Sequence, residues 1–243
     1  MFLIYSSRCI EEQWEEGGHM TKIFFDLYEL ICSLLGFLLL FAINRKNVLA
    51  KPCSVKYGFY VFAFVLYIIL ILHITGAGTL SEWFVYPFMF SEQQINLIPF
   101  VSDMINPLVT PQSLIDLVFL IVNSILESFL NTALFIPLGV FLCILWGVHN
   151  GYLAARIGFF FSLIIELSQL LNARVTDVDD LFFNTLGTVL GLVILKHVMK
   201  QNLQISKIVL FEGKDPSIWI IAIFLGRFFL FDEIGLAKIL NLV

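Results

Sequence analysis

Charge is the property that this chain has least of. Only 14% of its residues are Asp, Glu, Lys or Arg, whereas soluble domains carry about 25%. Hydrophobic residues make up 59% of the 243 residues, and 26 of them are phenylalanines. Such a surface would aggregate in water, but in a bilayer apolar side chains face lipid without cost. The composition therefore excludes a soluble globular domain and predicts an all-α, polytopic transmembrane helical bundle.

Cysteine and basic tracts are also scarce, and each shortage excludes a class of protein. The chain has four cysteines, and Cys32 and Cys143 lie inside apolar segments, so we expect free thiols and no disulfide framework. No run of Lys and Arg suggests nucleic acid as a partner. The sequence contains no Walker, zinc-ligand or serine-hydrolase motif, so we predict neither a cofactor nor a bound metal.

Six segments approach the length of about 20 apolar residues that a spanning helix needs. They cover residues 23–43, 57–74, 127–146, 157–171, 181–199 and 218–231. Before the third span, an apolar stretch from residue 114 is expected to lie at the membrane interface, because the whole stretch is too long for one span and too short for two. Pro137 and Gly139 predict a kink or a break within the third span.

The distribution of Lys and Arg predicts the orientation, because cytoplasmic loops carry an excess of both. With the N-terminus outside, the basic loops 44–56 and 200–217 face the cytoplasm, and the long segment 76–113, which holds neither Lys nor Arg, faces outward. Multi-pass insertion into a membrane, with the N-terminus outside, is therefore expected.

The spans divide the chain into four parts. Residues 1–22 form an N-terminal segment, 23–57 the first span and a basic loop, 58–200 the central membrane domain, and 201–243 a linker with a short C-terminal span. Residues 15–20 resemble a translated ribosome-binding site, so we expect Met20 to be the true start and residues 1–19 to be untranslated.

Two charged residues inside spans are predicted to pair. Charges in hydrocarbon usually face the bundle interior and find partners. At a helical rise of 1.5 Å per residue, Glu166 lies about 15 Å from Arg156 and Arg227 about 13 Å from Ile218, both measured from the inner face. Because the two depths agree, we expect an ion pair between Glu166 and Arg227.

Amide side chains form a layer further out, about 20 Å from the inner face by the same rise. Two interpretations stay open: these amides join helices by hydrogen bonds, or together with neighbouring carboxylates they form a polar pocket. The pocket would consist of Asn131, Glu166, Gln169, Asp177, Asp180 and Asn184. The acidic residues have a third interpretation, in which Asp179 or Asp180 caps a helix.

Asp180, Asn184, Gly187 and Gly191 follow at spacings of four, three and four, so they form one stripe on a helix. The two glycines allow a neighbouring helix to approach closely. That neighbour is either another span of the chain or a second copy, so a homo-oligomer is one possible outcome.

Five pieces of the sequence, in this order and spacing, resemble the VanZ-like family of bacterial membrane proteins over residues 58–200. They are the segment 96–100, Asn131 with the segment 135–139, Glu166 with Gln169, Thr176 with Asp177 and Asp180, and Asn184 with Thr185, Gly187 and Gly191. The first span, with Asp26 and Glu29 near its outer end, and the region after residue 201 lie outside the resemblance.

The resemblance implies a helical bundle in the bacterial plasma membrane and a role in tolerance to teicoplanin-type lipoglycopeptides. We favour a non-enzymatic envelope protein, whose pocket engages membrane lipid, a lipid-linked precursor or a lipoglycopeptide. The alternative is an enzyme or transporter for a lipid-linked envelope substrate, with Glu166 as proton carrier or general base. An ion pair with Arg227 would weaken that alternative, because a positive charge holds the carboxylate ionised.

Overall fold

The structure is a computed structural model that describes residues 23–44, 55–85, 95–96, 114–171, 176–201, 211 and 214–239. The helices within these ranges are α1 (Ile23–Asn44), α2 (Val55–Thr75), α3 (Leu80–Val85), α4 (Leu114–Trp146), α5 (Gly151–Gln169), α6 (Val178–Gln201), α7 (Pro216–Leu230) and α8 (Glu233–Ile239). The all-α prediction is confirmed. Met20 lies outside the described residues, so the predicted start stays a prediction.

The long helices have the length and composition of membrane spans. Helices α1, α2, α4, α5 and α6 are apolar enough to cross a bilayer, and α7 is a shorter apolar helix of 15 residues. Large apolar side chains point outward from them, such as Leu39, which is 64% exposed, and Phe119, which is 65% exposed. Lipid accepts such side chains at no cost, so the protein is a multi-pass membrane protein. The outside location of the N-terminus stays a prediction.

Helix α4 differs from the predicted third span. It is continuous over 33 residues with Pro137 inside it, so no break separates the expected interfacial piece from the span. At 1.5 Å per residue it is about 50 Å long, well beyond the roughly 30 Å of a hydrocarbon core. The helix is therefore not broken at Pro137, whereas the kink that the sequence also allowed stays a prediction.

Tyr67 of α2 forms hydrogen bonds with two backbone groups of α4 on either side of Pro137. An uninterrupted α-helix joins the N–H of residue 138 directly to the carbonyl of residue 134. In this protein the Tyr67 hydroxyl stands between the two groups. It donates to the Leu134 carbonyl oxygen at 2.8 Å and accepts from the Leu138 N–H at 3.1 Å. A side chain inserted into the helical ladder is a known cause of bending, and here it keeps α4 hydrogen-bonded across its proline.

Glycines bring α4 and α6 into backbone contact. A Cβ on Gly187 would lie 2.2 Å from the Thr132 carbonyl oxygen, and one on Gly191 would lie 1.9 Å from the Ile136 oxygen. From α4, a Cβ on Gly139 would lie 1.9 Å from the Thr188 oxygen. From the contact of Gly187 with Thr132 to that of Gly191 with Ile136 the residue numbers rise along both helices, so α4 and α6 run parallel. The glycine stripe of α6 therefore packs within the chain.

A second glycine contact joins α1 to α7. A Cβ on Gly36 would lie 2.0 Å from the Ala222 carbonyl oxygen, and one on Gly226 would lie 2.7 Å from the Cys32 oxygen. Because the numbers fall along α7 as they rise along α1, this pair is antiparallel. Tyr28 extends it by donating to the Leu230 carbonyl at 2.8 Å.

The end of α4 and the start of α7 lie at one end of the bundle, which is aromatic. Asn150 caps α5 by accepting from the Tyr152 N–H at 2.9 Å. Nearby, the Phe211 ring lies between those of Trp146 and Trp219, with centroid separations of 5.0 and 4.8 Å. Such contacts between buried rings contribute about 0.5–1.5 kcal/mol each beyond their buried area.

The opposite end of the bundle carries the charged and amide side chains. There α2, α5 and α7 finish, and α1 and α6 begin, as the contacts described below demonstrate. We call this the polar end. It is defined by Glu29, His73, Glu166, Gln169, Asp177, Asp180 and Arg227.

Candidate functional site

A short backbone pairing brings two distant parts of the chain together at the polar end. Ile95 pairs with Thr176 and Asn96 with Asp177, in parallel register. The motif that begins at residue 96 is therefore beside the motif that begins α6. Residues 97–100 of the first motif and Arg174, which precedes the second, lie outside the described residues.

Asp177 fixes the start of α6 and touches α5. Its carboxylate accepts from the Asp179 N–H at 2.9 Å, which is the geometry of a helix N-cap. Its own N–H donates to Glu166 Oε2 at 3.1 Å. Capping thus falls to Asp177, whereas the sequence had suggested Asp179 or Asp180, because the helix begins earlier than the apolar pattern indicated.

Asp180 and Asn131 contact each other across the α4–α6 interface. The Asn131 side-chain amide donates to Asp180 Oδ1. The glycine contacts of the same two helices set this distance, since they bring the backbones together a little further along. Glu166, Asp177 and Asp180 lie within electrostatic range of one another, and Glu127 lies within range of Asp180. The amide and the carboxylates predicted as a pocket therefore form one cluster.

Asn184 lies deeper and bonds to a residue that the sequence did not single out. Its amide donates to Ser162 Oγ of α5 at 2.9 Å, and both residues are buried. A Cβ on Gly158, one turn earlier on α5, would lie 2.5 Å from the Thr188 hydroxyl, so α5 and α6 are close here as well. Ser162 sits four residues before Glu166, a spacing that places it on the same face and that would have revealed it.

Gln169 points away from the carboxylates, although it follows Glu166 by one helical turn. Its Nε2 donates to the Thr75 carbonyl at 2.8 Å, at the end of α2. The preceding residue contributes as well, because Ser168 Oγ accepts from the Gly78 N–H at 2.9 Å. Gln169 therefore holds the connection between α2 and α3 against the end of α5.

The predicted ion pair between Glu166 and Arg227 is wrong. Arg227 Nε donates to Glu29 Oε1 at 2.5 Å, and its Nη1 donates to the Ala77 carbonyl. Both charged side chains are buried, at 7% and 6% exposure. The depth argument failed because depth is one coordinate only. The position of a residue around the bundle decides its partner, and α1 packs on α7.

Glu29 also binds a second group that the sequence analysis missed. The His73 Nδ1 atom lies 2.7 Å from Glu29 Oε2. Glu29 had been noted only as a carboxylate near the outer end of the first span. An ionisable residue inside an apolar run signals a partner by itself, so searching the ends of all apolar spans for His and Arg would have suggested this cluster.

The polar end therefore holds two groups of side chains. The first, between α4, α5 and α6, is rich in carboxylates and amides, and the second, between α1, α2 and α7, is an arginine–glutamate–histidine cluster. Among the residues that the structure describes, no three His, Cys, Asp or Glu side chains are arranged to hold a metal ion. The chemistry available to the first group is hydrogen-bond acceptance and proton exchange.

Comparison with known proteins agrees with the region that the motifs mark. A family model described as VanZ/LLP1 matches residues 59–200. This range contains α3, α4, α5 and nearly all of α2 and α6, and it leaves out α1, α7 and α8. Neither the curated proteins nor the solved structures gave a match.

Proposed function

The chain belongs to the VanZ/LLP1 family, and we propose that it is a bacterial envelope protein that lowers susceptibility to teicoplanin-type lipoglycopeptides. It would reside in the plasma membrane and engage, in the outer leaflet, the polar headgroup of a lipid-linked precursor or of the lipoglycopeptide itself. This is a binding function, without covalent chemistry.

The contact between Asn131 and Asp180 carries the proposal. An ionisable side chain within a span is expensive and is by default a candidate for function. The position of Asp180 is fixed by the close packing of α6 on α4. Gly187 and Gly191 allow this packing, because a side chain at either position would clash with the backbone of α4. A site held by backbone contacts keeps its polar groups in one geometry, which reduces the ordering cost of binding.

One observation favours the second candidate, an enzyme or transporter with Glu166 as proton carrier or general base. Arg227, the cation expected to hold Glu166 ionised, is bound to Glu29 instead. Glu166 is 2% exposed and accepts from the Asp177 N–H. Burial favours the neutral form of a carboxyl group, and the objection that Arg227 raised against proton exchange at Glu166 no longer applies.

Susceptibility to teicoplanin and daptomycin in a Gram-positive host tests the first candidate. Strains carrying empty vector, wild type, Asp180→Asn and Asn131→Ala are compared, with membrane levels measured by blot. We expect wild type to raise the inhibitory concentration of teicoplanin and both variants to return it to the vector value. Asp26→Asn, which changes an exposed carboxylate on α1, is the matched control and should protect as wild type does.

The proposal fails if wild type alters neither inhibitory concentration, or if Asp180→Asn protects fully at equal membrane level. Glu166→Gln separates the two candidates, because glutamine still accepts from the Asp177 N–H but cannot release a proton. Full protection by Glu166→Gln supports binding without proton exchange. Loss of protection, with normal membrane level and unchanged thermal unfolding, supports the second candidate.

A further inference from the structure

His73 at the end of α2 is oriented by two buried side chains from outside the family-matched region. Its Nδ1 lies 2.7 Å from one oxygen of Glu29, whose other oxygen accepts from Arg227 at 2.5 Å. Glu29 is 4% exposed. The ion pair with Arg227 holds this carboxylate in place, and the carboxylate in turn orients the imidazole.

The contact with Glu29 determines which ring nitrogen of His73 is available. An ionised carboxylate only accepts hydrogen bonds, so Nδ1 carries the proton that is shared with Glu29. In the neutral ring Nε2 then has a free lone pair. The His73 side chain is 48% exposed, so this acceptor can be reached from outside the protein, whereas Glu29 cannot.

Gln169 offers a second acceptor nearby in the fold. Its orientation is fixed, because only the NH2 group can donate to the Thr75 carbonyl. The other atom of the amide, Oε1, is buried and has no hydrogen-bond partner among the described residues. Leaving such an atom unsatisfied is costly. Thr75 follows His73 by two residues, so both acceptors lie at the end of α2.

The surroundings of His73 are acidic. Glu82 of α3 and Glu233 of α8 lie within electrostatic range of each other, and Glu233 also lies within range of Glu29, Arg227 and His73. Burial, followed by the charges of Glu82 and Glu29, raises the pKa of Glu233 above its ordinary value. Another negative charge, such as a phosphate, would be repelled here.

From this geometry we infer that His73 and Gln169 are ligand-binding residues that receive hydrogen-bond donors, the hydroxyl or ammonium groups of a headgroup. The inference rests on the proposed function, because it names the ligand chemistry of the same end of the bundle. It adds that α1 and α7, through Glu29 and Arg227, orient one of the two binding residues.

NMR of the full chain in nanodiscs, with 15N-labelled histidine, tests the inference. A protonated and an unprotonated ring nitrogen have well-separated shifts, and His73→Gln assigns the His73 signals. Glucosamine, glucose and inorganic phosphate are titrated separately. We expect a saturable shift of His73 Nε2 with glucosamine and none with phosphate. A shift with glucose as well identifies hydroxyl groups as the donors, and a shift with glucosamine alone identifies the ammonium group.

Two variants sharpen the result. Gln169→Leu should weaken glucosamine binding about three- to tenfold, the effect of one lost hydrogen bond, while the His73 Nδ1 proton remains. His149→Gln, at the aromatic end beside Cys143, should leave the affinity unchanged. If Gln169→Leu does not reconstitute, the three titrations of the wild-type chain decide alone.

Saturable binding of phosphate, or the absence of a saturable shift with both sugars, overturns the inference. So does a His73 ring whose Nε2 carries a proton, whether or not Nδ1 carries one as well. These outcomes are independent of drug susceptibility. If glucosamine binds while wild type leaves inhibitory concentrations unaltered, the ligand chemistry stands and only the drug role falls.

Discussion

The α4–α6 pair and the α1–α7 pair both bring helix backbones into contact at glycines, yet they differ in direction and in chemistry. The first pair is parallel, lies in the family-matched region, and joins an amide to a carboxylate. The second is antiparallel, lies outside that region, and buries a full ion pair. Glycines thus allow close helix packing in both pairs, whereas the side chains at the polar end give each pair its own polar contacts.

The ion pair between α1 and α7 leaves the carboxylates of the candidate site without Arg227 as a partner. Because Glu29 neutralises Arg227 within the α1–α7 pair, that arginine does not neutralise the carboxylates between α4, α5 and α6. The two pairs are still connected, since the segment after α2 is held by Gln169 on one side and by Arg227 on the other. Substitutions in each helix pair, followed by measurement of unfolding, test how far the two pairs are independent.

Charge reversal should have the largest effect. Arg227→Glu or Glu29→Arg alone leaves buried like charges and should lower the free energy of unfolding by at least about 3–5 kcal/mol, as measured by SDS titration. The double exchange Glu29→Arg with Arg227→Glu should recover much of this loss. The exchange Glu166→Arg with Arg227→Glu should recover none, and recovery there would contradict the observed pairing.

Adding one methyl group to α6 should have the second largest effect on stability. In Gly191→Ala the new Cβ would meet the Ile136 carbonyl oxygen, so the helices must separate, at a cost of about 1–3 kcal/mol. Gly58→Ala on α2, where a Cβ meets nothing within 4 Å, is the matched control and should be neutral or slightly stabilising. Equal unfolding midpoints for the two variants would contradict the close α4–α6 contact.

Removal of the Tyr67 hydroxyl should have a smaller effect. Tyr67→Phe leaves the Leu134 carbonyl and the Leu138 N–H without their bridge, which should cost about 1–2 kcal/mol. Adding Pro137→Ala lets α4 close its own ladder and should restore part of the stability, measured by thermal unfolding in detergent. Tyr60→Phe on the same helix is the control. Additive losses in the double variant would exclude the bridging role.

The smallest effect is expected from Glu233 beside the α1–α7 pair. Its pKa is raised in the folded protein by burial and by neighbouring carboxylates, so the folded state binds the proton more tightly than the unfolded state does. Wild type therefore loses stability, relative to Glu233→Gln, as pH rises above the ordinary Glu pKa of about 4.3. Unfolding midpoints of the two proteins should converge in acid, and a constant difference would contradict this.

Local chemistry explains the parts of the prediction that concern a single helix. Apolar length located the helices, and the spacing of Asp180, Asn184 and the glycines placed them on one face, because a helix repeats every 3.6 residues. Asn131 was grouped with Asp180 because the layer of amides was placed next to the carboxylates that precede the fifth span. Gln169 and Arg227 were misjudged, since their partners are a backbone carbonyl and a residue 198 positions away.

The sequence by itself determined that the chain consists of apolar helices surrounded by lipid, since this depends on composition and on the length of the apolar runs. Only the tertiary structure decided which polar groups meet. Tyr67 reaches the gap at Pro137, and Glu29 joins Arg227 to His73. Both contacts depend on how helices are arranged around the bundle axis, and no periodicity along a single helix encodes that arrangement.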